Sequence, residues 1–258
     1  MIPEASIRGY TDYNAQMFDR WVSEGWEWGQ PISHETYLRA QQGEWNVVLT
    51  PNKPVPHVWL GKLEGKRVLG LASGGGQQMP IFAALGAECY VLDYSEKQLA
   101  SERAVAEREG YEIQIEKADM TNPLPYSDNY FDLIFHPVSN CYIEQAEPVW
   151  RECYRILKPD GRLLSGLDNG FNFLFDDEEH ENIITGSLPF NPLRNKAQKK
   201  LSLENDCGYQ FSHTIEEQIG GQIKAGFRLV DLYEDTNSTG FLKEHGVPTF
   251  WATLAIKE

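Results

Sequence analysis

A buried strand that runs into a series of small residues is the first feature able to do chemistry. Val68–Ala72 is apolar enough for a buried strand, and Ser73 and glycines 74, 75 and 76 follow it directly. Consecutive glycines after such a strand let the backbone approach a ligand closely and adopt positive φ angles. The pattern is typical of a ligand-binding turn, although a tight turn without a ligand has the same residues.

Two nucleotide-binding motifs can be compared with this loop. The dinucleotide fingerprint needs a third small residue, but the pattern that starts at Gly74 and Gly76 reaches Met79 instead. No Gly-Lys-Ser/Thr follows the loop, so a P-loop is not indicated. A nicotinamide-dependent oxidoreductase is therefore disfavoured, and it stays as an alternative.

Two aspartates extend this candidate site. Asp93 ends the second predicted strand, where its carboxylate can accept two hydrogen bonds from a ribose diol, or instead stabilise the next helix. Asp119 follows the third predicted strand, next to apolar Met120, and can accept a hydrogen bond from an exocyclic amine; the alternative is a solvated turn. Together with the glycine loop they put a backbone cradle, a ribose acceptor and an adenine acceptor on three adjacent strand ends.

Regular strand–helix alternation from Lys66 onward predicts the scaffold for these residues. Repeated βα units imply a mostly parallel sheet with helices on both faces, and ligands bind beyond the carboxyl ends of its strands. The fold class is thus α/β and Rossmann-like. The predicted strands are 67–72, 89–93, 113–117, 131–135, 162–168, 227–233 and 249–256.

Capping residues predict where the helices begin and end. Pro80 suits the first helical position, because its missing N–H would have no partner there. Two segments begin with capping boxes and end at a glycine. These are the helix from Ser95 and Gln98 to Gly110 and the helix from Thr214 and Glu217 to Gly226; a further helix is predicted over 148–157.

Two regions depart from the alternation. Residues 1–60 hold five of the seven tryptophans, at positions 21, 26, 28, 45 and 59, and are predicted to form a helical cap or lid. An aromatic lid would exclude water, whereas a static packed cap is the alternative. Residues 61–258 then form the Rossmann-like domain, with an insertion at about 170–212.

The charge and the apolar content of the sequence argue against nucleic-acid and membrane partners. The 258 residues carry a formal net charge of −15, which repels phosphate backbones, and Arg194, Lys196, Lys199 and Lys200 form only a small basic cluster. No nucleic-acid partner is expected. Nothing at the N-terminus resembles a secretory signal and no apolar run approaches the roughly 20 residues of a spanning helix, so no membrane partner is expected either.

The spacing of the cysteines and acidic residues is informative about metal binding and about the cellular compartment. The four cysteines are scattered without a CxxC pair, so we expect reduced thiols in a cytoplasmic protein and neither a zinc site nor a disulfide framework. The run Asp176–Glu179 with His180 has carboxylates that hard cations favour. Its contiguous spacing suits a solvated charged face better, and no metal is predicted.

Three stretches beyond the glycine loop resemble signatures of the Rossmann-like, class I S-adenosylmethionine-dependent methyltransferases. They are Val91–Ser95, Leu124–Ile134 and Arg151–Leu164, so the resemblance covers about 66–168. It implies a seven-stranded sheet whose last strand is inserted antiparallel, and S-adenosylmethionine as cofactor.

The resemblance also implies roles for individual residues. Gly74 and Gly76 would lie against the amino-acid part of the cofactor, Asp93 would hold the ribose, and Asp119 with the Met120 backbone would hold adenine. The usual acidic residue of the first strand is Gly70 here, and the first glycine of the loop motif is Ala72. Gln77 or Gln78 is expected to replace part of the missing anchor. Further cofactor contacts are expected from Ala72, Ser73, Gln77, Gln78, Tyr94 and His136.

Methyl transfer demands little of the protein, because the sulfonium already makes the methyl group an electrophile. The protein aligns a nucleophile and excludes water, and it needs a general base only for a protonated nucleophile. His136 is the candidate base; a satisfied structural histidine is the alternative. Ser139, which also follows the fourth strand, is a further candidate. Candidate substrate residues are Trp28, Asn140, Tyr142, Asp168 and Asn169; packing or capping is the alternative for the last two.

The sequence therefore predicts an S-adenosylmethionine-dependent methyltransferase that acts on a small molecule. Planar amides and bases are disfavoured as acceptors, since His136-Pro137-Val138-Ser139 replaces the Asn/Asp-Pro-Pro-Tyr/Phe pattern of that subgroup. The alternatives are a nicotinamide-dependent oxidoreductase and a non-catalytic protein that binds S-adenosylmethionine.

Overall fold

The computed structural model describes residues 9–175 and 183–258, and a seven-stranded sheet forms its centre. The strand order is β3-β2-β1-β4-β5-β7-β6, and β7 runs antiparallel to both of its neighbours while β1 to β5 pair in parallel. The predicted α/β class and the antiparallel insertion of the last strand are confirmed. The strands are β1 Arg67–Leu71, β2 Glu88–Asp93, β3 Ile113–Lys117, β4 Phe131–His136, β5 Leu157–Asp168, β6 Phe227–Asp235 and β7 Phe250–Lys257.

Helices connect the strands and precede them. They are α1 Tyr10–Ser23, α2 His34–Gln41, α3 His57–Leu60, α4 Gln78–Ala84, α5 Glu96–Glu109, α6 Glu147–Ile156, α7 Lys196–Glu204, α8 Ile215–Ala225 and α9 Phe241–Glu244. Ser95 accepts a hydrogen bond from the Gln98 N–H, and Gly110 ends α5 in the left-handed conformation. Thr214 and Glu217 form the expected capping box of α8.

The prediction that Pro80 is the first residue of α4 was wrong. The helix begins two residues earlier, at Gln78. Its first-turn N–H groups have no partner within the helix, so a proline costs little at the third position as well.

Apolar layers cover both faces of the sheet because side chains alternate along each strand. In β1, Val68 belongs to the layer with α4 and α5, whereas Leu69 and Leu71 belong to the opposite layer with α6. Trp150 of α6 is fully buried in that second layer. The two layers fix the carboxyl ends of the strands as one rigid edge.

Helix α1 lies across this edge and is tied on both sides. Asp19 accepts hydrogen bonds from Ser95 Oγ at 2.6 Å and from the Lys97 N–H at 2.9 Å, at the start of α5. Asn14 Nδ2 donates to the carbonyl of Tyr209 at 2.9 Å, in the segment that the sequence marked as an insertion. The cap therefore contacts both the first and the second half of the domain; whether it moves as a lid stays a prediction.

None of the described helices is long and apolar enough to cross a bilayer. Within 9–175 and 183–258, no group of three or more histidines, cysteines or carboxylates is arranged to hold a metal ion. The run Asp176–Glu179 with His180 lies outside the described residues. All four cysteines are free thiols.

Candidate active site

A cavity of about 480 Å³ lies between the carboxyl ends of the strands and helix α1, within the size range of small-molecule sites. The part that the ends of β1, β2 and β3 line is called the β2 end. The part that the ends of β4 and β5 line is called the β5 end. Residues of α1 and the segment after it, including Phe18, Trp21 and Trp26, line the wall opposite the sheet.

The glycine loop forms one side of the β2 end. Ala72, Ser73 and Gly74 line the cavity, and the loop turns back through positive φ angles at Ala72 (48°), Gly75 (101°) and Gly76 (71°). A Cβ atom on Gly74 would lie 2.6 Å from Gln98 Cβ and 3.0 Å from Asp93 Oδ2. Glycine is therefore required at position 74 for the backbone to pack between α5 and the cavity.

Gly70 and Met79, two of the three departures from familiar motifs, are explained by one packing arrangement. A Cβ atom on Gly70 would lie 2.9 Å from Met79 Sδ. Met79 is fully buried, and it occupies the space that an acidic side chain on β1 would need. A larger residue at position 70 therefore requires the Met79 side chain to move.

The loop carries a different carboxylate anchor, which the sequence analysis missed. Glu102 of α5 is fully buried, and its Oε1 accepts a hydrogen bond from the Gly76 N–H at 2.7 Å. Burial raises the pKa of Glu102 to about 8, the Gly76 hydrogen bond opposes this rise, and the charge of Asp93 adds to it. One feature of the sequence could have indicated that Glu102 is buried: its spacing puts it on the same helix face as Leu99, Val105 and Ala106.

Gln77 and Gln78 also hold the loop, as the sequence suggested. Gln78 Oε1 accepts a hydrogen bond from Ser73 Oγ at 3.2 Å. Gln77 Nε2 donates to the carbonyls of Glu27 and Gln30, at 3.2 and 3.0 Å, and so joins the loop to the N-terminal segment. Both glutamines line the cavity.

Asp93 presents a carboxylate to the β2 end. Its Oδ2 accepts from the Gly74 N–H at 3.0 Å and its Oδ1 from the Ser95 N–H at 2.9 Å, so its orientation is fixed from both sides. Burial raises the pKa of Asp93, and these backbone hydrogen bonds oppose the rise. Tyr94 lines the cavity next to it and donates its hydroxyl to Asp12 of α1.

Asp119 and Met120 complete the β2 end. Asp119 Oδ1 accepts hydrogen bonds from the N–H and Oγ1 of Thr121 at 2.9 and 2.8 Å, which fixes the turn after β3. Met120 is buried and packs into the apolar layer that contains Leu92 and Leu124. Both residues line the cavity, so a carboxylate and an apolar surface meet there.

His136 is placed differently from the expectation. It is fully buried, and its Nδ1 lies 2.8 Å from the Leu71 carbonyl while its Nε2 lies 2.8 Å from Asn140 Oδ1. Because a carbonyl only accepts, Nδ1 carries a proton. Burial lowers the pKa of the ring, so the neutral form is favoured. Nε2 then accepts a hydrogen bond, which requires the Asn140 amide to be turned so that its otherwise unpartnered Nδ2 donates. Both ring nitrogens are thus engaged within the protein.

The β5 end contains Tyr142 and Asp168 but not the asparagines beside them. Asn140 and Asn169 do not line the cavity; Asn169 Nδ2 donates instead to the Pro248 carbonyl at 2.8 Å. Trp28 lines the cavity at the opposite end, where its carbonyl would lie 3.1 Å from a Cβ atom on Gly75.

The structure thus brings most of the predicted residues together. Gly76, His136, Asn140 and Asn169 stand behind the wall, where they support residues that form it. The predicted residues that line the cavity are Trp28, Ala72, Ser73, Gly74, Gln77, Gln78, Asp93, Tyr94, Asp119, Met120, Ser139, Tyr142 and Asp168.

The β2 end has the donor and acceptor types that a nucleoside cofactor requires. Gly74 packs closely against Asp93 and Gln98, so its backbone lies at the cavity without a side chain. Next to it lie an oriented carboxylate and, after β3, a second carboxylate with an apolar neighbour. Carboxylates accept from hydroxyls and amines, and apolar side chains pack on flat rings. These residues fit the cofactor that the sequence predicts.

Known proteins resemble this chain at two levels. Residues 69–165 match the family model described as a methyltransferase domain. The uncharacterized methyltransferase YbaJ of Bacillus subtilis is 41% identical over 251 residues, which cover 95% of this chain and 97% of that protein.

Solved structures share the fold at lower identity. The crystal structure of an S-adenosylmethionine-dependent methyltransferase from Mesorhizobium loti has a TM-score of 0.62 and 20% identity, and the match covers 78% of this chain and 95% of that one. The [4+2]-cyclase SpnF has a TM-score of 0.58 and 16% identity, with 95% of both chains covered. Such likeness shows the fold alone, and a fold can host different reactions.

Proposed function

The chain belongs to the Rossmann-like, class I S-adenosylmethionine-dependent methyltransferases, and from this premise we propose that its methyl acceptor is a small molecule bound at the β5 end of the cavity. The observation that carries the proposal is the wall that α1 and Trp26 form opposite the strand ends. An acceptor must enter this space to reach a cofactor at the β2 end, which suits a small molecule better than a polymer. The net charge of −15 also opposes a nucleic-acid acceptor.

We propose the following cofactor contacts. The backbone of Ser73 and Gly74 would hold the amino-acid part, Asp93 would accept from the ribose hydroxyls, and Asp119 with the Met120 backbone would recognise adenine. The cofactor supplies an electrophilic methyl group on a sulfonium. The chain's own residues orient the two reactants and exclude water from the space between them.

The structure suggests a positioning role for His136 rather than a base role. Its ring connects the Leu71 carbonyl, at the end of β1, to Asn140 in the turn after β4. These two strand ends flank the junction between the β2 end and the β5 end. A neutral histidine that holds them together would set the distance between the two reactants.

Transfer of labelled methyl groups into fractionated cell extract tests the proposed acceptor class. The purified protein is incubated with [methyl-³H]S-adenosylmethionine and extract that has been divided by ultrafiltration into low-molecular-weight, nucleic-acid and protein fractions. We expect the label in the low-molecular-weight fraction. Label confined to nucleic acid or protein would overturn the proposal, and S-adenosylhomocysteine binding without any transfer would favour the non-catalytic alternative.

A further inference from the structure

We propose that Asp168 is the general base of the reaction and that the acceptor is a flat, largely apolar molecule whose nucleophile is a hydroxyl group. The inference rests on the proposed function, because it assigns the chemistry of the same cavity. It depends on the position of Asp168, on the hydrogen bonds that hold it and on the side chains around it.

Asp168 lies where an acceptor would bind, away from the residues that fit the cofactor. It is the last residue of β5, and its half-buried side chain lines the cavity. In the sheet, β4 separates β5 from β1, so the end of β5 lies about 10 Å from the end of β1 at the usual strand spacing. The accessible part of this carboxylate faces the β5 end.

A chain of hydrogen bonds fixes the carboxylate. Its Oδ1 accepts from the Gly170 N–H at 2.7 Å, and its Oδ2 accepts from Asn172 Nδ2 at 3.1 Å. Asn237 Nδ2 donates to Asn172 Oδ1 at 2.8 Å, and Thr249 Oγ1 donates to Asn237 Oδ1 at 2.8 Å. Every donor in this hydrogen-bond series points toward Asp168, so the side chain that lines the cavity is held in one orientation.

Within residues 9–175 and 183–258, the groups that face Asp168 are uncharged. From the turn after β4 these are the Cys141 thiol and the Tyr142 phenol, whose pKa values burial raises well above their usual ranges. The other elements present Asn172, Phe250 of β7 and the Gln218 amide of α8, which donates to the main-chain carbonyl of Asp168. Among the described residues no lysine or arginine forms an ion pair with it.

A carboxylate in these surroundings is suited to take a proton near neutral pH. Burial raises the pKa of Asp168 to about 6, and the Gly170 and Asn172 hydrogen bonds limit the rise. At neutral pH most of the group is ionised, and its basicity exceeds that of an exposed aspartate. General bases work best when their pKa lies near the working pH.

The aromatic wall opposite the strand ends, together with Tyr142, indicates the kind of acceptor. The Phe18 ring lies 5.3 Å from Trp21, 5.5 Å from Trp26 and 4.8 Å from Tyr142, measured between ring centroids. These four rings line the cavity and offer flat apolar surface. A neutral amine has a lone pair ready for transfer, whereas a hydroxyl must lose its proton. A base beside aromatic walls therefore suits a flat acceptor with an O–H group.

The acceptor oxygen forms a bond to the methyl carbon as its proton passes to a carboxylate oxygen of Asp168. The electron pair of the broken carbon–sulfur bond stays on sulfur, which becomes a neutral thioether. The proton on Asp168 leaves to water when the product departs.

The pH dependence of labelled methyl transfer tests this role. With the low-molecular-weight extract fraction as acceptor, we expect the wild-type rate to rise with pH through about 6 and then level off, because the carboxylate form is the active one. In Asp168→Asn the rate should no longer rise with pH in this range. At pH 7 the variant should transfer methyl groups at least about 100-fold more slowly than the wild type. Its affinity for S-adenosylhomocysteine should stay within twofold of the wild type. Asp160→Asn, the same change at the other end of β5, is the matched control and should keep the wild-type profile.

A second variant tests the same role with little risk to the fold. Asn172→Ala removes a donor that stabilises the ionised carboxylate, so the pKa of Asp168 should rise. The pH range over which the transfer rate increases should then move to higher pH. A ¹³C NMR titration of the Asp168 carboxyl carbon in the unliganded protein should show the same shift. A profile and a titration that both stay at their wild-type positions would overturn the assignment.

The outcomes separate this inference from the proposed function. Labelled methyl groups that hydriodic acid releases as methyl iodide would identify a methoxy product and support the hydroxyl acceptor. Label in the small-molecule fraction that is not released, or an Asp168→Asn rate equal to the wild type, would overturn the inference and leave the proposed function standing. A wild-type protein that does not label this fraction would contradict the proposed function itself.

Discussion

The β2 end and the β5 end of the cavity are assembled from different kinds of chain segment. Every polar group that we assign to the cofactor lies between Ser73 and Met120, and each is the last residue of a strand or lies within three residues after one. The β5 end draws on α1, on the turn after β4 and on residues as distant as Phe250. One end is thus a product of local motifs, and the other exists only after distant segments have packed.

The two ends also use different contacts. At the β2 end, backbone N–H groups of Gly74, Ser95 and Gly76 bind the carboxylates of Asp93 and Glu102. At the β5 end the Gly170 N–H also binds the Asp168 carboxylate, but a series of side chains from Thr249 to Asn172 holds its other oxygen. A backbone hydrogen bond can persist when the surrounding side chains are substituted, whereas a side-chain network is disrupted when any one of its residues is substituted.

The largest expected effect tests the β2 end through its ribose acceptor. Asp93→Ala should weaken S-adenosylhomocysteine binding at least tenfold, because hydrogen bonds to a charged group contribute roughly 1.5–3 kcal/mol each. Isothermal titration calorimetry measures the change. The dissociation constant of Asp93→Asn should lie between those of the wild type and Asp93→Ala, because asparagine keeps one acceptor oxygen. Asp128→Ala, an exposed aspartate that pairs with Arg155, is the control. An unchanged dissociation constant in folded Asp93→Ala would remove Asp93 from the cofactor site.

The second prediction concerns the glycine-loop anchor. Glu102 has a pKa of about 8 in the folded chain, above its value in an unfolded chain, so its stabilising contribution is complete below about pH 4.5 and is lost as pH rises toward 8. Glu102→Gln should remove this loss. Its free energy of unfolding relative to the wild type should therefore increase by about 1 kcal/mol or more between pH 5 and pH 8.

Urea denaturation at several pH values measures that difference. Glu107→Gln, on the exposed face of the same helix, should show no such trend. The Glu102 Oε2 and Gln98 Oε1 atoms are both buried without a partner among the described residues, and they lie one turn apart on α5. A proton on Glu102 would supply the missing donor, which agrees with the raised pKa. A constant difference across the pH range would show that the carboxyl is not protonated in the folded protein.

A smaller effect is expected for adenine recognition. Asp119→Asn keeps an acceptor oxygen but loses the charge, so binding should weaken by about two- to tenfold, the range of a neutral hydrogen bond. The variant should also discriminate less between the adenosine and inosine forms of S-adenosylhomocysteine. Competition binding with the two forms measures this ratio. If the ratio equals that of the wild type, Asp119 does not read the adenine edge.

The smallest effect tests how the β5 end is closed. Arg20 of α1 donates to both carboxylate oxygens of Asp206, at 2.5 and 2.6 Å, and this pair is partly exposed. Arg20→Ala should cost less than about 1 kcal/mol of stability, as exposed ion pairs do. It should nevertheless speed proteolysis before Lys62, with little change in cofactor affinity, because the pair ties α1 to the segment at the β5 end.

Tryptophan fluorescence extends this test. Trp21, Trp26 and Trp28 line the cavity, whereas Trp45 stacks on His57 outside it. A lid that moves should give a fluorescence change and protection from protease when S-adenosylhomocysteine saturates the wild type. Arg39→Ala, whose exposed partner Glu44 lies in the same segment, is the control. Identical spectra and cleavage with and without the ligand would leave a static cap.

The amino-acid sequence by itself determined the sheet, the glycine loop and the cofactor. These depend on alternation, caps and strand-end residues that are neighbours along the chain, and the resemblance to methyltransferases rested on the same stretch. Even the antiparallel last strand followed from that resemblance.

Only the tertiary structure decided what lies behind and opposite these motifs. It showed that Met79 fills the space above Gly70, that Glu102 anchors Gly76, and that His136 is enclosed rather than facing the cavity. It also brought Asp168 next to Asn172 and, through Asn237, to Thr249. These contacts join residues that are far apart in sequence or on different elements, and no local pattern specifies which side chain fills a given space. Packing settles that choice, because the buried volume and the hydrogen bonds of all the segments must be satisfied at once.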